Sequence, residues 1–266
     1  MKFDGILLCT DIDSTLTEHK NKISKENLDA IEYFTRNGGA FTVATGRTPL
    51  TIPEILNEHI KVPVICQNGA LFDIHTQKYI SYSALDERAI DIAKEISERF
   101  PASGIECFRL YDIAFVKNNN ATLRHIETEE IACATHLNCA LDEVEGPLLK
   151  ILFAQDSAET DMMYNAYKNS EYQKEYSLVK SHMWYYEIMR KDVSKGAALK
   201  QLCELCGFNI KKTVATGDSD NDIELVKSAG LGFAVKNATK NLKVAADRVT
   251  RRSNEESAVA EIIYSI

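Results

Sequence analysis

The sequence predicts an α/β protein, a parallel-sheet core into which a second, α+β domain is inserted. Three observations carry this. Near both ends of the chain, short apolar runs that stop at polar loops alternate with amphipathic helical stretches. That alternation marks βαβ units, whose parallel sheet is covered on both faces. Between about residues 84 and 190, strand-like stretches outnumber long helices and lie in adjacent pairs, which suits an antiparallel sheet. After residue 192 the first pattern returns.

The elements follow in order. GILLCT, residues 5–10, is a short apolar run that meets Asp11, as a buried strand ending in a loop does. In the stretch SKENLDAIEYFTRNGG, Ser24 is placed to cap a helix, Leu28, Ile31 and Phe34 line one face, and Gly38 and Gly39 end it. AFTVAT is a second strand, closing on Thr45, Gly46 and Arg47; a helix is predicted from Pro53 to about Ile60, then a third strand in VPVIC. Asn68 and Gly69 signal a turn, and ALFDIHTQKYISYS reads as a hairpin. In the middle segment, residues 85–100 form a helix with Ala89, Ile92, Ile96 and Phe100 on one face. GIECFRLYDIAFVK, LLKILFAQ, YSLVKSH and WYYEIMR are strand-rich, with a helix at SAETDMMYNAYKN. The last part reads as helix (SKGAALKQLCELCGF), strand (KKTVAT), loop (GDSDND), helix (IELVKSAG), strand (GLGFAV), helix (NATKNLKVAA) and a short strand (DRVT). The core is thus expected over residues 1–83 and 191–266 and the insert over 84–190.

Composition narrows the function. The 266 residues allow one large domain or two ordinary ones at about 150 residues each. A content of 45% hydrophobic and 26% charged residues is that of a globular protein, not of a disordered or collagen-like chain. The net charge of −8 repels polyphosphate backbones, so nucleic acid is not an expected partner. The pairs Lys211, Lys212 and Arg251, Arg252 read as solvated surface. The N-terminus does not resemble a signal peptide, and no apolar run reaches the ~18 residues of a membrane span, so a cytoplasmic location away from membranes is expected. Seven cysteines without a regular framework suit a reducing compartment. Cys203 and Cys206 form the one CxxC. Leu199 and Leu202, with Leu205 or Cys206, make a helical stripe there, so packing is the expected role rather than zinc or redox chemistry. The six histidines show no ligand spacing.

In an open parallel sheet, chemistry sits beyond the carboxyl ends of the strands. Asp11 and Asp13 follow the first strand, Thr45 the second, and Asp218 and Asp222 the strand TVAT. Alternation puts Asp11 and Asp13 on one side of an extended segment. Clustered carboxylates repel unless a cation or proton relieves them. Oxygen-only ligands suit a hard ion, and Mg²⁺ prefers a few carboxylates with water and phosphate. A lone DxD is more often a solvated loop. Its combination with a TG after a second strand, a lysine at a helix start and GDSDND after a third strand is specific.

That combination resembles the haloacid dehalogenase (HAD) superfamily of aspartate-nucleophile phosphatases. DIDST at residues 11–15 is similar to the family's first motif, Thr45 in VATGR to the second, Lys195 in VSKGAAL to the third and GDSDND at residues 217–222 to the fourth. NGA at residues 68–70 and the stretch GLGFAVKNATKNLKVAAD resemble the Cof-like sugar-phosphatase branch. Two positions depart from that branch. Ser14 stands where Gly is usual, and NEESAVAEII lacks the Gly usual before the final helix.

The resemblance implies a Rossmann-like core, an α/β cap that reads the substrate, and Mg²⁺-dependent hydrolysis of small phosphorylated metabolites, sugar phosphates foremost. It implies Asp11 as nucleophile and Asp13 as general acid and base. Mg²⁺ would be held by Asp11, the backbone carbonyl of Asp13 and Asp218, with Asp222 orienting the ligands. Thr45, Gly46, Arg47, Lys195 and Asn221 would bind phosphate or substrate. Plainer readings stand beside these. Thr45 is also a capping residue, Asp222 also an acid favoured at a helix start, Asp220 solvated, and Trp184, Tyr185 and Tyr186 packing residues rather than sugar contacts. Rival functions are a phosphosugar mutase of the same superfamily and a non-catalytic phosphometabolite-binding protein.

Overall fold

In the computed structural model, which describes residues 1–18, 22–128, 134–136 and 139–266, the chain forms two compact units. One comprises Met1–Arg47, Ile52–Ser81 and Ser194–Ile266, the other Thr48–Thr51 and Tyr82–Val193.

The first unit begins with β1 (Leu7–Thr10), α1 (Lys25–Arg36) and β2 (Ala40–Val43). Ser24 caps α1 as expected, its Oγ accepting from the Asn27 N–H at 3.1 Å. Ile31 and Phe34 are fully buried. The helix predicted over 53–60 does not form. A single 3₁₀ turn, Glu54–Leu56, stands in its place, because Ile60 already pairs with Phe41 in a parallel bridge. A further turn still closes, with the Ile60 N–H donating to the Leu56 carbonyl at 3.1 Å, and the bridge stops the helix there. Next come β3 (Val64–Cys66), β4 (Ala70–Asp73) and β5 (Lys78–Ser81), a small antiparallel sheet. A parallel bridge from Ile65 to Ala44 sets β3 beside the end of β2.

The second unit contains α2 (Glu87–Arg99), β6 (Gly104–Phe108), β7 (Ile113–Lys117), α3 (Asn120–Thr128) and β8 (Ala134–His136), then β9 (Lys150–Ala154), α4 (Ser157–Tyr167), β10 (Tyr176–His182) and β11 (Tyr185–Arg190). Its sheet has the order β10-β11-β9-β6-β7-β8. Every pairing is antiparallel except β7 with β8. Ala89, Ile92 and Ile96 of α2 pack with Met163 and Tyr167 of α4 against Cys107, Ile151, Phe153 and Tyr186. Each such buried large side chain contributes about 1.5–3 kcal/mol. Tyr186 is therefore a packing residue, Tyr185 lies against the cluster around Phe115, and the Trp184 ring carries the Arg124 guanidinium 4.4 Å from its centroid. The short elements α3 and β8 have no counterpart in the sequence prediction.

The chain returns to the first unit with α5 (Lys195–Cys206), β12 (Thr213–Gly217), α6 (Ile223–Ser228), β13 (Leu231–Ala234), α7 (Lys240–Ala245), β14 (Arg248–Val249) and α8 (Ala258–Ser265). The main sheet is parallel throughout, in the order β14-β13-β12-β1-β2. α5 buries Ala198, Leu199, Leu202 and Cys203 against Leu7 and Cys9. The predicted stripe is thus shifted: Leu205 and Cys206 are exposed, and Cys203 takes the inward position. No helix among the described residues is long and apolar enough to cross a membrane.

Both departures from the Cof-like pattern fall on left-handed backbone. Ser14 has φ +57° and Ser257, just before α8, has φ +63°. Glycine takes such angles without steric cost. Ser257 is partly compensated by a 2.8 Å hydrogen bond between its Oγ and that of Ser24.

Candidate active site

The order of the main sheet decides where the polar residues meet. β1 lies between β12 and β2, with Thr10 level with Thr216 on one side and Val43 on the other. The loops that leave these strands therefore start side by side. The N–H of Asp11 still donates to the Thr216 carbonyl (2.9 Å), and that of Ala44 to the Thr10 carbonyl (2.9 Å). The ladder thus runs up to the first residue of the site.

Lys195 opens α5, whose Ser194 cap accepts from the Ala197 N–H at 3.1 Å. Gly196 allows α5 to lie directly on α6, since a Cβ there would stand 2.3 Å from the Glu224 carbonyl oxygen. Only 1% of Lys195 is exposed, and its Nζ donates to Asp11 Oδ1 (2.7 Å) and Asp222 Oδ1 (2.6 Å). Asp222 is fully buried and spends its other oxygen on the N–H groups of Asp218 (3.1 Å) and Ser219 (3.2 Å). It thus ties the loop after β12 to the lysine. Gly217 makes room for this, because a Cβ there would stand 2.3 Å from the Asp222 carboxyl.

Carboxylate oxygens of Asp11, Asp218 and Asp222 lie within 4.8 Å of one another. Asp218 Oδ1 accepts from the Thr15 hydroxyl at 3.2 Å. Among the described residues, no donor reaches Oδ2 of Asp11, Oδ2 of Asp218 or the backbone carbonyl of Asp13. Two carboxylate oxygens and a carbonyl without hydrogen donors fit a hard cation such as Mg²⁺. Asp222, with both oxygens committed, does not.

The electrostatics agree. Burial is the main influence on Asp11 and holds its carboxyl well above the usual range; the Lys195 charge opposes this, and Asp222, Asp218 and Asp13 reinforce it. Asp218 is pushed up to about 6, first by burial and then by Asp222. Burial disfavours the Lys195 ammonium, but Asp11 and Asp222 outweigh it and the pKa is raised. Three acids around one ammonium leave a negative excess, which a cation would relieve.

The other predicted residues are placed as follows. Asp13 turns to Arg47, which donates from Nη2 (2.6 Å) and Nε (3.0 Å) to its two oxygens. The buried Thr45 accepts the Arg47 N–H on its Oγ1 at 3.1 Å. Asn221 donates its amide to Asn68 Oδ1 at 3.2 Å. Asp220 is exposed but not merely solvated, for it accepts from Thr239 (2.6 Å) and Asn241 (2.8 Å). The contacts of Thr15 and Asn68 are additions, and the fifth position of DIDST and the NGA triplet were their only signals in the sequence.

The sequence profile of haloacid dehalogenase-like hydrolases matches residues 8–263. The chain belongs to this family. It is 28% identical over 289 residues to phosphatase YwpJ of Bacillus subtilis, covering 97% of this chain and 98% of that one. It is also 28% identical over 263 residues to the 5-amino-6-(5-phospho-D-ribitylamino)uracil phosphatase YcsE of the same organism, with 97% and 94% covered. Among solved structures, a HAD subclass IIB sugar phosphatase shares the fold, with a TM-score of 0.83 at 18% identity over 98% of both chains. The protein is a HAD-family phosphatase of the Cof-like branch, a hydrolase of phosphate esters.

Proposed function

We propose that this phosphatase hydrolyses small phosphorylated metabolites, sugar and polyol phosphates foremost, with Mg²⁺ and through an aspartyl-phosphate on Asp11. The observation that carries the reading is the meeting of Asp11, Lys195, Asp218 and Asp222, which join residues up to 211 positions apart through contacts of 2.6–3.1 Å and a common 4.8 Å cluster. The substrate class rests on relatives. YcsE is named for a phosphoribityl compound and the subclass IIB neighbour for sugar phosphates, and both kinds of substrate join a phosphate to a polyhydroxylated chain.

The chemistry follows from the residues. A carboxylate oxygen of Asp11 attacks phosphorus while the ester P–O bond breaks. Asp13 gives its proton to the departing alcohol. It then takes one from a water that attacks the aspartyl-phosphate, and the bond between phosphorus and Asp11 breaks to release phosphate. Arg47 fixes the direction of the Asp13 carboxyl. The Thr45 hydroxyl, the Gly46 backbone, Lys195 and Asn221 would hold the transferring oxygens. Asp11, the Asp13 carbonyl and Asp218 would hold Mg²⁺, which when bound would offset the repulsion between an anionic nucleophile and an anionic phosphate. Asp222 keeps Lys195 and the Asp218 loop in place.

The test is phosphate release across a panel of sugar, polyol, nucleotide and cofactor phosphates, with Mg²⁺ and with EDTA. Hydrolysis of the sugar and polyol phosphates, abolished by EDTA and by Asp11→Asn, is expected. Wild-type turnover in Asp11→Asn or in EDTA would overturn the mechanism. Isomerisation of a hexose phosphate without release would make the protein a mutase.

A further inference from the structure

The turn after β3 holds its backbone in an unusual state. Gln67 and Asn68 are consecutive non-glycine residues with φ +48° and +64°. Left-handed backbone is unfavourable for most side chains, more so for Gln67 than for Asn68, and such conformations persist only where neighbouring structure fixes them. Here the fixing is local. The Gln67 N–H donates to the Arg47 carbonyl and the Asn68 N–H to the Thr45 carbonyl, both at 2.9 Å, and the Gly69 N–H returns to Cys66 at 3.0 Å. Both side chains are buried, at 3% and 7% exposure. The turn is thus clamped to the loop that carries Thr45, Gly46 and Arg47.

The strain delivers one side chain to a particular place. Asn68 Oδ1 accepts the Asn221 amide at 3.2 Å, across 153 positions of sequence. The same amide lies over Gly46, where a Cβ would stand 3.4 Å from Oδ1 and 3.6 Å from Nδ2. Asn68 therefore spans the loop after β2 and the loop after β12. These two loops carry most of the residues assigned above to the phosphoryl oxygens.

We propose that Asn68 is a positioning residue for phosphoryl transfer, a strut that sets the distance between the Thr45 loop and the Asn221 loop. The proposal rests on the phosphatase site described above. A left-handed turn places the amide there, and asparagine is one of the few side chains that tolerates that backbone. A residue chosen only for the turn would be glycine, which takes the angle without strain.

Asn68→Gly separates the two roles, because it relaxes the backbone and removes the amide. Thermal stability is expected to stay level or rise. kcat is expected to fall about 10–100-fold, the scale of a misplacement near 1 Å, with a smaller rise in KM. Asn221→Ala is expected to lower kcat at least as much, since it also removes the amide assigned to phosphate, and the double variant to be no slower than Asn221→Ala, because Asn68 acts through the contact that Asn221→Ala already removes. Calorimetry of inorganic phosphate with Mg²⁺ supplies a readout that needs no turnover, and weaker binding by Asn68→Gly is expected. The proposal fails if Asn68→Gly keeps kcat and phosphate affinity within twofold of wild type, or if the two losses multiply in the double variant. By contrast, a wild type that releases no phosphate from any ester would refute the functional reading, and phosphate binding would still decide the strut.

Discussion

Replacing Lys195 with Met leaves two buried carboxylates facing each other without their shared cation. The side chain is fully enclosed, and its ammonium lies 2.7 Å from Asp11 and 2.6 Å from Asp222. Met fills nearly the same volume, so the loss is electrostatic rather than a cavity. Removing one partner of a buried ion pair costs about 3–5 kcal/mol. Near 2–4 °C per kcal/mol for a chain of this size, the melting temperature in EDTA falls by about 6–20 °C. Two controls isolate the cause. Adding Asp11→Asn to Lys195→Met recovers part of the loss, since it removes one of the stranded charges. Adding Mg²⁺ raises the melting temperature of Lys195→Met by more than that of wild type, because a divalent ion replaces the missing charge. Scanning calorimetry of the four combinations, with and without Mg²⁺, measures all of this. A Lys195→Met protein in EDTA that melts within about 2 °C of wild type would refute the argument that this lysine holds the acids together.

Other outcomes follow from single features. Ser14→Gly relieves a left-handed φ of +57° and, after the added freedom of the unfolded chain, stabilises by about 0.5–1 kcal/mol, read as a higher urea midpoint. Gly217→Ala drives a methyl into the Asp222 carboxyl, 2.3 Å away; a loss of about 1–3 kcal/mol together with a fall in kcat is expected, read by urea unfolding and phosphate release. Because burial raises Asp218 to about 6, protons compete with the cation below that pH. The Mg²⁺-induced rise in melting temperature is therefore large at pH 7.5 and small at pH 5. In EDTA the sign reverses for this group, since a raised carboxyl stabilises the fold at low pH and loses that contribution as pH rises through about 6.

The helices and strands of the main sheet were legible because their signals are local. Ser24 and Ser194 cap the helices that follow them, and apolar runs stop at Asp11 and Thr45. The helix expected over 53–60 failed because the Ile60 to Phe41 bridge is a long-range pairing invisible to periodicity. α3 and β8, nine and three residues long, are too short to show a period. In the CxxC helix the stripe shifted by a turn's fraction, because the partners Leu7 and Cys9 select which face turns inward.

The sequence alone determined the residue types and their order along the chain: acids after two strands, a lysine at a helix start, a glycine beside that lysine and another before Asp218. These are matters of covalent spacing, capping and local periodicity. Only the tertiary structure decided which of them touch. Strand order puts β1 between β2 and β12, and from that follow the shared lysine of Asp11 and Asp222, the turn of Asp13 toward Arg47 and the amide bridge from Asn68 to Asn221. Such contacts join positions 27 to 184 apart, and distances across that much chain are set by packing of whole elements, not by any pattern within one.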